Sequence, residues 1–138
     1  MPQRVQPDPN WASEHGMPMV TAEELLARAD IVTLHLADVS GQPFKMDAAA
    51  FGRMKDGASL VNVARGQFID EAALLEALES QKLAGAALDV YSEEPYTGPL
   101  ANRNNVILTP HVATLTRESR ARMELDAVDN LLAALGDC

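Results

Sequence analysis

The 138-residue sequence is short of cysteine and of positive charge, and it has no long apolar run. Its single cysteine, Cys138, excludes a disulfide framework and suggests a reducing compartment. Eleven Lys and Arg against 20 Asp and Glu give a net charge of -9, which disfavours nucleic-acid and anionic membrane surfaces. No segment has the length of an apolar membrane span, and "MPQRVQPDPNW" lacks the apolar core of a signal peptide. We therefore expect a soluble cytoplasmic protein without nucleic-acid or membrane partners.

Strands and helices alternate along the chain, which is 47% hydrophobic and 22% charged, as in globular domains. The patterns predict buried strands at 31–36, 58–66, 85–91 and 105–110, and helices at 21–29, 47–54, 70–85 and 116–135. Near-continuously apolar strands separated by helices indicate an α/β fold with a parallel, doubly wound, Rossmann-like sheet. We expect helices on both faces of that sheet and a long C-terminal helix.

Four residues predict how helices begin or end. Thr21 and Glu24 have the spacing of a capping box, and Asp70 stands where an N-cap is expected. Gly57 suits a left-handed cap after the short helix at 47–54.

The long C-terminal helix carries an apolar stripe at heptad-like spacing, formed by Ala121, Leu125, Val128, Leu132 and Leu135. Such a stripe more often packs on the protein's own sheet, and a partner helix is the alternative. We expect the first arrangement.

Three successive strands are each followed by a different polar residue: Arg65, Glu94 and His111. Each residue alone has an ordinary explanation, as a surface ion-pair partner, a solvated loop acid or a structural histidine. In a parallel sheet, however, the carboxyl ends of strands converge, and ligands bind there. A carboxylate next to an imidazole raises its pKa and fixes its tautomer, and an arginine offers a planar fork to a carboxylate. The three residues predict a site that moves a proton on a small carboxylic acid.

The stretch "LVNVARGQFIDEAALLEALESQKLAGAALDVYSEEP", followed by "NNVILTPHVATLT", resembles the D-isomer-specific 2-hydroxyacid dehydrogenases, which include phosphoglycerate dehydrogenase. The resemblance runs from about residue 8 to residue 135. It implies an NAD-dependent oxidoreductase acting on a small D-2-hydroxy acid or the corresponding 2-oxo acid. By that resemblance Arg65 binds the substrate carboxylate and carbonyl, His111 donates the proton to the carbonyl oxygen, and Glu94 hydrogen-bonds His111.

The resemblance also implies a set of cofactor contacts. Asp8 matches the acid that binds the adenosine ribose hydroxyls and favours NAD over NADP; by itself it reads as a turn aspartate before proline. Asp89 matches the residue that contacts the nicotinamide amide, or is simply a polar strand end. The remaining contacts are expected from Leu36, Val63, Ala64, Arg65 and His111. No metal ligand is assigned, and His35 is interpreted as structural.

The family's glycine-rich fingerprint G-x-G-x-x-G is absent from these 138 residues. The chain begins about where the family's second strand is expected, so residues 1–138 are interpreted as a partial NAD-binding domain essentially without its substrate domain. In the strand order 3-2-1-4-5-6 the first strand is central, and its loss leaves edges that pair with other chains. We expect the isolated chain to bind NAD poorly and to require a homodimer partner or a missing N-terminal segment, or to be unstable.

Two other interpretations remain open. One is a non-catalytic binding protein on this scaffold, similar to dehydrogenase-like corepressors, which the missing phosphate-binding elements favour. The other is a structural remnant without a role of its own. The complete set Arg65, Glu94 and His111 favours the enzyme.

Overall fold

The computed structural model describes residues 9–36 and 44–136. Two 3-10 turns at Gly66–Phe68 and Pro99–Asn102 accompany its regular elements. In chain order these elements are α1 Pro9–Glu14, α2 Ala22–Arg28, β1 Ile31–Leu34, α3 Ala48–Arg53, β2 Ala58–Asn62, α4 Glu71–Glu79, β3 Leu83–Leu88, β4 Val106–Leu108 and α5 Arg117–Gly136.

The four strands form one parallel sheet in the order β1-β2-β3-β4, which confirms the predicted parallel α/β fold. Asn62 is paired with Leu88, and Leu88 with Leu108. The last residues of β2, β3 and β4 therefore lie side by side. The chain segments that follow these strands leave the sheet along one edge.

Side-chain caps start the helices where the sequence predicts them. The Thr21 hydroxyl accepts a hydrogen bond from the Glu24 N–H, and the Asp70 carboxylate accepts one from the Ala73 N–H. These bonds satisfy N–H groups that lack a partner in the first turn of a helix. Gly57 has a φ of 77°, in the left-handed region where glycine is favoured.

All four strands end earlier than predicted. β1, β2, β3 and β4 end at Leu34, Asn62, Leu88 and Leu108 instead of residues 36, 66, 91 and 110. α4 ends at Glu79, and β3 begins at Leu83, within the stretch predicted to be helical. Helical geometry stops because Gln81 adopts a φ of 61°, which turns the chain and buries Leu83 in the core.

The core lies between one face of the sheet and α2, α3 and α4. It contains Val32, Leu60 and Ala86 from adjacent strands, together with Phe51 of α3 and Leu74 of α4. The opposite sheet face carries Ile31 and Ile107, which are 66% and 68% exposed. Helices were predicted on both faces of the sheet. Within residues 9–36 and 44–136 they cover only the face that holds the core.

The expectation that α5 packs on its own sheet is wrong. No residue of this 20-residue helix is buried, and Leu125, Leu132 and Leu135 are 61% to 64% exposed. The helix face of the sheet is already filled by α2, α3 and α4. The heptad pattern correctly indicates a surface to be covered, but it does not specify what covers it. No helix in the described part of the chain is both long enough and apolar enough to cross a membrane.

Candidate active site

Glu94 and His111 lie together at the carboxyl edge of the sheet. The Glu94 Oε2 atom is 3.0 Å from Nδ1 of His111, and both side chains are partly exposed. The hydrogen bond from His111 lowers the pKa of Glu94 below its ordinary value, so the carboxylate is the acceptor. His111 therefore uses Nδ1–H towards Glu94 and leaves Nε2 for another molecule.

The His111 backbone occupies the left-handed region, with a φ of 54°. A non-glycine residue adopts this conformation at a cost and needs support from its surroundings. Asp89 supplies it: Oδ1 accepts hydrogen bonds from the Thr109 hydroxyl and the Val112 N–H, and Oδ2 accepts one from the Ala113 N–H. The residues on both sides of His111 are thus attached to the end of β3.

Asp89 is only 5% exposed, and its protonation follows from two opposing effects. Burial raises the pKa of the carboxyl, but the hydrogen bonds from Thr109, Val112 and Ala113 outweigh burial and leave the pKa below its ordinary value. The group is a carboxylate at neutral pH. The predicted contact with nicotinamide stays a prediction, although Oδ2, with one bonded N–H, keeps a lone pair for a further donor.

Arg65 stands three residues beyond the end of β2, in a loop fixed by buried Asn62. The Asn62 amide donates to the Arg65 carbonyl and accepts from the Ala64 N–H, both at 3.0 Å. The exposed Arg65 guanidinium donates to the Ala64 carbonyl at 2.6 Å. Within the described ranges no hydrogen bond or ion pair joins it to Glu94 or His111, so the three predicted residues share an edge without forming one bonded cluster.

Gly66 brings the Arg65 loop against the loop that carries Glu94. A Cβ at this position would lie 1.9 Å from the carbonyl carbon and 2.1 Å from the oxygen of Tyr91. Only glycine permits that approach, because backbone atoms of the neighbouring loop cannot move aside like a flexible side chain.

Tyr91 and Glu71 hold the Glu94 loop in place. The buried Tyr91 hydroxyl lies 2.9 Å from the Leu88 carbonyl and 2.8 Å from the Thr109 carbonyl, and so joins the ends of β3 and β4. Burial raises the pKa of Tyr91 and keeps its hydroxyl protonated. Glu71, in the first turn of α4, accepts hydrogen bonds from the Ser92 hydroxyl and N–H.

The other predicted cofactor residues occupy different environments. Val63 is at the surface next to Arg65, whereas Ala64 is buried. Leu36 is half-buried after β1 and packs against the core. His35 is exposed and hydrogen-bonds to Thr33, consistent with a structural role. Asp8 lies outside the described residues.

Sequence reasoning missed Asn62 and Tyr91. A polar residue at an inward position of the apolar strand "SLVNVA" is a signal that could have identified Asn62, because buried amides need partners. Tyr91 has no comparable local signal, since its hydroxyl bonds to Thr109, 18 residues away.

Residues 3–113 match the family model described as the D-isomer specific 2-hydroxyacid dehydrogenase, NAD binding domain. The chain belongs to this family. The family match confirms the predicted relationship and the predicted cofactor, NAD, and the parallel sheet with a long C-terminal helix agrees with the predicted fold class.

Known proteins of this kind are similar along most of the chain. D-lactate/D-glycerate dehydrogenase of Pediococcus acidilactici is 39% identical over 85% of this chain and 40% of its own length. The structure of a glyoxylate reductase from Paecilomyes thermophila is 40% identical with a TM-score of 0.83, covering 94% of this chain and 39% of that one. D-lactate dehydrogenase from Aquifex aeolicus, solved with NAD and lactic acid, is 28% identical with a TM-score of 0.79, covering 97% and 45%.

The chain spans only part of these proteins. It covers 40%, 23% and 36% of the first three curated relatives that it matches. The activities of these longer proteins are therefore only proposed for this chain.

Proposed function

We propose that this chain carries the proton-transfer residues of an NAD-dependent oxidoreductase that interconverts a small 2-oxo acid and the D-2-hydroxy acid. The observation that supports this most is the Glu94–His111 pair, with Nε2 of His111 left available at the edge where ligands of parallel sheets bind. Relatives named for lactate, glycerate and glyoxylate support the substrate class.

The edge fits the nicotinamide end of NAD. Surface Val63 offers apolar contact next to Arg65, and the free lone pair on Asp89 Oδ2 suits a carboxamide N–H donor. NAD, when bound, supplies or accepts the hydride. Asp8, Leu36 and Ala64 complete the proposed contacts, and a preference for NAD over NADP rests on Asp8.

Three side chains of this chain carry out the remaining steps, which are substrate binding and proton transfer. The Arg65 guanidinium holds the substrate carboxylate and orients the carbonyl. His111 Nε2–H gives its proton to the carbonyl oxygen during reduction and takes a proton from the hydroxyl during oxidation. Glu94 accepts from Nδ1–H and stabilises the imidazolium that each direction requires.

The test is NADH oxidation with pyruvate, glyoxylate and hydroxypyruvate, by the chain alone and by a chimera in which it replaces the corresponding segment of the Paecilomyes glyoxylate reductase. We expect His111→Gln to reduce turnover of the active form about 10²- to 10⁴-fold. Arg65→Gln should mainly raise KM. His35→Gln is the matched control and should leave turnover unchanged.

Turnover by the isolated chain would contradict the expectation that this chain binds NAD poorly. The proposed chemistry would still stand. A folded chimera that is silent with all three acids would contradict the enzyme and favour the binding-protein interpretation. Unchanged turnover in His111→Gln would remove His111 from the mechanism.

We further propose that residues 1–138 act as part of an NAD-binding domain, in the cytoplasm, as a homodimer without nucleic-acid or membrane partners. The net charge of -9 and the single cysteine support this environment. Cell fractionation and binding to DNA or anionic vesicles test it, and stable association with either would contradict it.

A further inference from the structure

The connection from β2 to α4 carries Arg65 near its start and leads into Glu71, the first residue of α4. In the proposed reaction the Arg65 guanidinium holds the substrate, whereas the Glu94–His111 pair moves the proton. Over residues 9–36 and 44–136, no hydrogen bond or ion pair joins Arg65 to that pair. Because a misplacement of about 1 Å can slow an enzyme strongly, other groups must fix the distance between them.

The two loops meet at the peptide group between Tyr91 and Ser92. Gly66, next to Arg65, lies against this group, since an added Cβ would be 1.9 Å from the Tyr91 carbonyl carbon and 2.4 Å from the Ser92 nitrogen. Glu71 bonds to the same group: its Oε1 accepts from the Ser92 N–H at 3.3 Å and from the Ser92 hydroxyl at 2.7 Å. Gly66 thus sets how closely the loops approach, and Glu71 keeps them from separating.

Glu71 also acts on the chain that follows Glu94. Burial raises the pKa of Tyr96, and the negative charge of Glu71 raises it further, which places that carboxylate near the Tyr96 hydroxyl. The Tyr96 ring stacks on Tyr91 with the ring centroids 4.6 Å apart. Ser92 and Tyr96 stand two residues before and two residues after Glu94. Glu71 therefore influences the Glu94 loop on both sides of the carboxylate.

The Glu94 carboxylate depends on the position of the same peptide group. Its Oε1 accepts a hydrogen bond from the Tyr91 N–H at 3.3 Å, and its Oε2 is 3.0 Å from Nδ1 of His111. A shift of the backbone at Tyr91 and Ser92 would therefore move the donor that orients Glu94 and, through Glu94, the imidazole.

We propose that Glu71 is a positioning residue for the proposed reaction: it holds the Tyr91–Ser92 peptide against Gly66 and so fixes the Arg65 loop relative to the Glu94–His111 pair. The Ser92 N–H and hydroxyl are neutral donors, so the role requires an acceptor oxygen at this place and not a negative charge. This assignment rests on the proposed function, because turnover of a 2-oxo acid is what the geometry serves.

The first test measures kcat and KM in the chimera with the Paecilomyes glyoxylate reductase. Glu71→Ala should lower kcat about 10- to 100-fold and raise KM, because both the proton-transfer pair and the Arg65 loop shift. A simple loss of folded enzyme would lower the apparent kcat and leave KM unchanged. Glu71→Gln keeps an acceptor oxygen and should recover most of the lost turnover. Glu76→Ala, at an exposed position of the same helix, is the matched control and should change neither constant.

The second test follows the Glu94 carboxyl group by ¹³C NMR titration of the 138-residue chain and needs no turnover. The hydrogen bond from His111 holds the pKa of Glu94 below its ordinary value. We expect that pKa to rise towards the ordinary value in Glu71→Ala and to stay low in Glu71→Gln and Glu76→Ala. Ser92→Ala, which removes only the hydroxyl, should give a smaller rise and serves if Glu71→Ala does not fold by circular dichroism.

The two tests separate this assignment from the proposed function. A silent wild-type chimera together with a raised Glu94 pKa in Glu71→Ala would remove the reaction and keep Glu71 as the residue that positions the pair. An unchanged KM and an unchanged Glu94 pKa in folded Glu71→Ala would overturn the proposal. Equal losses in Glu71→Gln and Glu71→Ala would overturn the role of an acceptor oxygen.

Discussion

The sheet edge that carries Glu94 and His111 differs from helix α5 in which side chains are buried and which are exposed. At the edge, polar Asn62 and Asp89 are almost completely buried, and hydrogen bonds within the chain satisfy them. On α5, leucine and valine side chains are exposed to solvent. Buried polar groups with partners fix a geometry, whereas exposed apolar groups lower their free energy only by acquiring a partner. The first region holds the candidate site, and the second carries an apolar face that no residue in the described ranges buries.

The largest expected contrast is between two leucines. Leu74 of α4 is 0% exposed and Leu132 of α5 is 61% exposed. We expect Leu74→Ala to lower the free energy of unfolding by about 2–5 kcal/mol. Leu132→Ala should change it by less than about 0.5 kcal/mol at concentrations where the chain is monomeric. Urea unfolding measures both, and a large loss from Leu132→Ala in the monomer would mean that α5 packs on its own chain.

The next largest effect is expected at Gly66. A Cβ there would overlap the Tyr91 backbone, so Gly66→Ala should cost about 3 kcal/mol or more of unfolding free energy and displace Arg65. Gly52→Ala is the control, because nothing lies within 4 Å of its Cβ and it is in helix α3. We expect that change to stabilise the protein by about 0.5–1 kcal/mol. Equal effects of the two substitutions in thermal unfolding would contradict the close approach of the loops.

A smaller effect is expected at Asp89. Asp89→Asn should reduce the unfolding free energy by about 1–3 kcal/mol at pH 7, because it weakens the bonds around His111. The pKa of Asp89 is lower in the folded protein than in the unfolded chain. Its stabilisation is therefore present above about pH 4 and is lost as the pH falls through the folded-state pKa.

The difference between wild type and Asp89→Asn should accordingly shrink on acidification. Urea unfolding at several pH values between about 3 and 7 follows it, and Asp126→Asn on exposed α5 is the control. A pH-independent difference would show that the Asp89 charge does not contribute.

The smallest effect is expected at Tyr91. Tyr91→Phe removes the hydroxyl between the Leu88 and Thr109 carbonyls, at a cost of about 1 kcal/mol. The proposed site should respond more than the global fold, since the ends of β3 and β4 lose a link. Unchanged turnover of the chimera with this substitution would mean that the link does not position the site.

The sequence predicts much of the fold because its signals are local. The caps Thr21 and Asp70 are read from three-residue spacings, and the strands from apolar runs. The Glu94–His111 contact follows from parallel topology, which places strand ends side by side. The same reasoning places Arg65 at the edge, although no hydrogen bond or ion pair among the described residues joins its side chain to the other two.

The features without a local signal depend on contacts between distant segments. Asp89 bonds to the backbone of Val112 and Ala113, more than 20 residues away, and no residue pattern specifies which N–H groups a carboxylate meets. The apolar stripe of α5 is equally clear whether its partner is a sheet or a second helix. The amphipathic spacing identifies the apolar face of α5, but it does not identify what packs against that face.

Native-state hydrogen exchange tests the contrast between the two regions most directly. We predict that the N–H groups of Val112 and Ala113, which bond to Asp89, are protected at every protein concentration, because they belong to the frame of the site. The N–H groups of α5, a helix without a buried residue, should exchange much faster. Protection of α5 as strong as that of Val112 and Ala113, or rapid exchange at those two residues, would contradict the account.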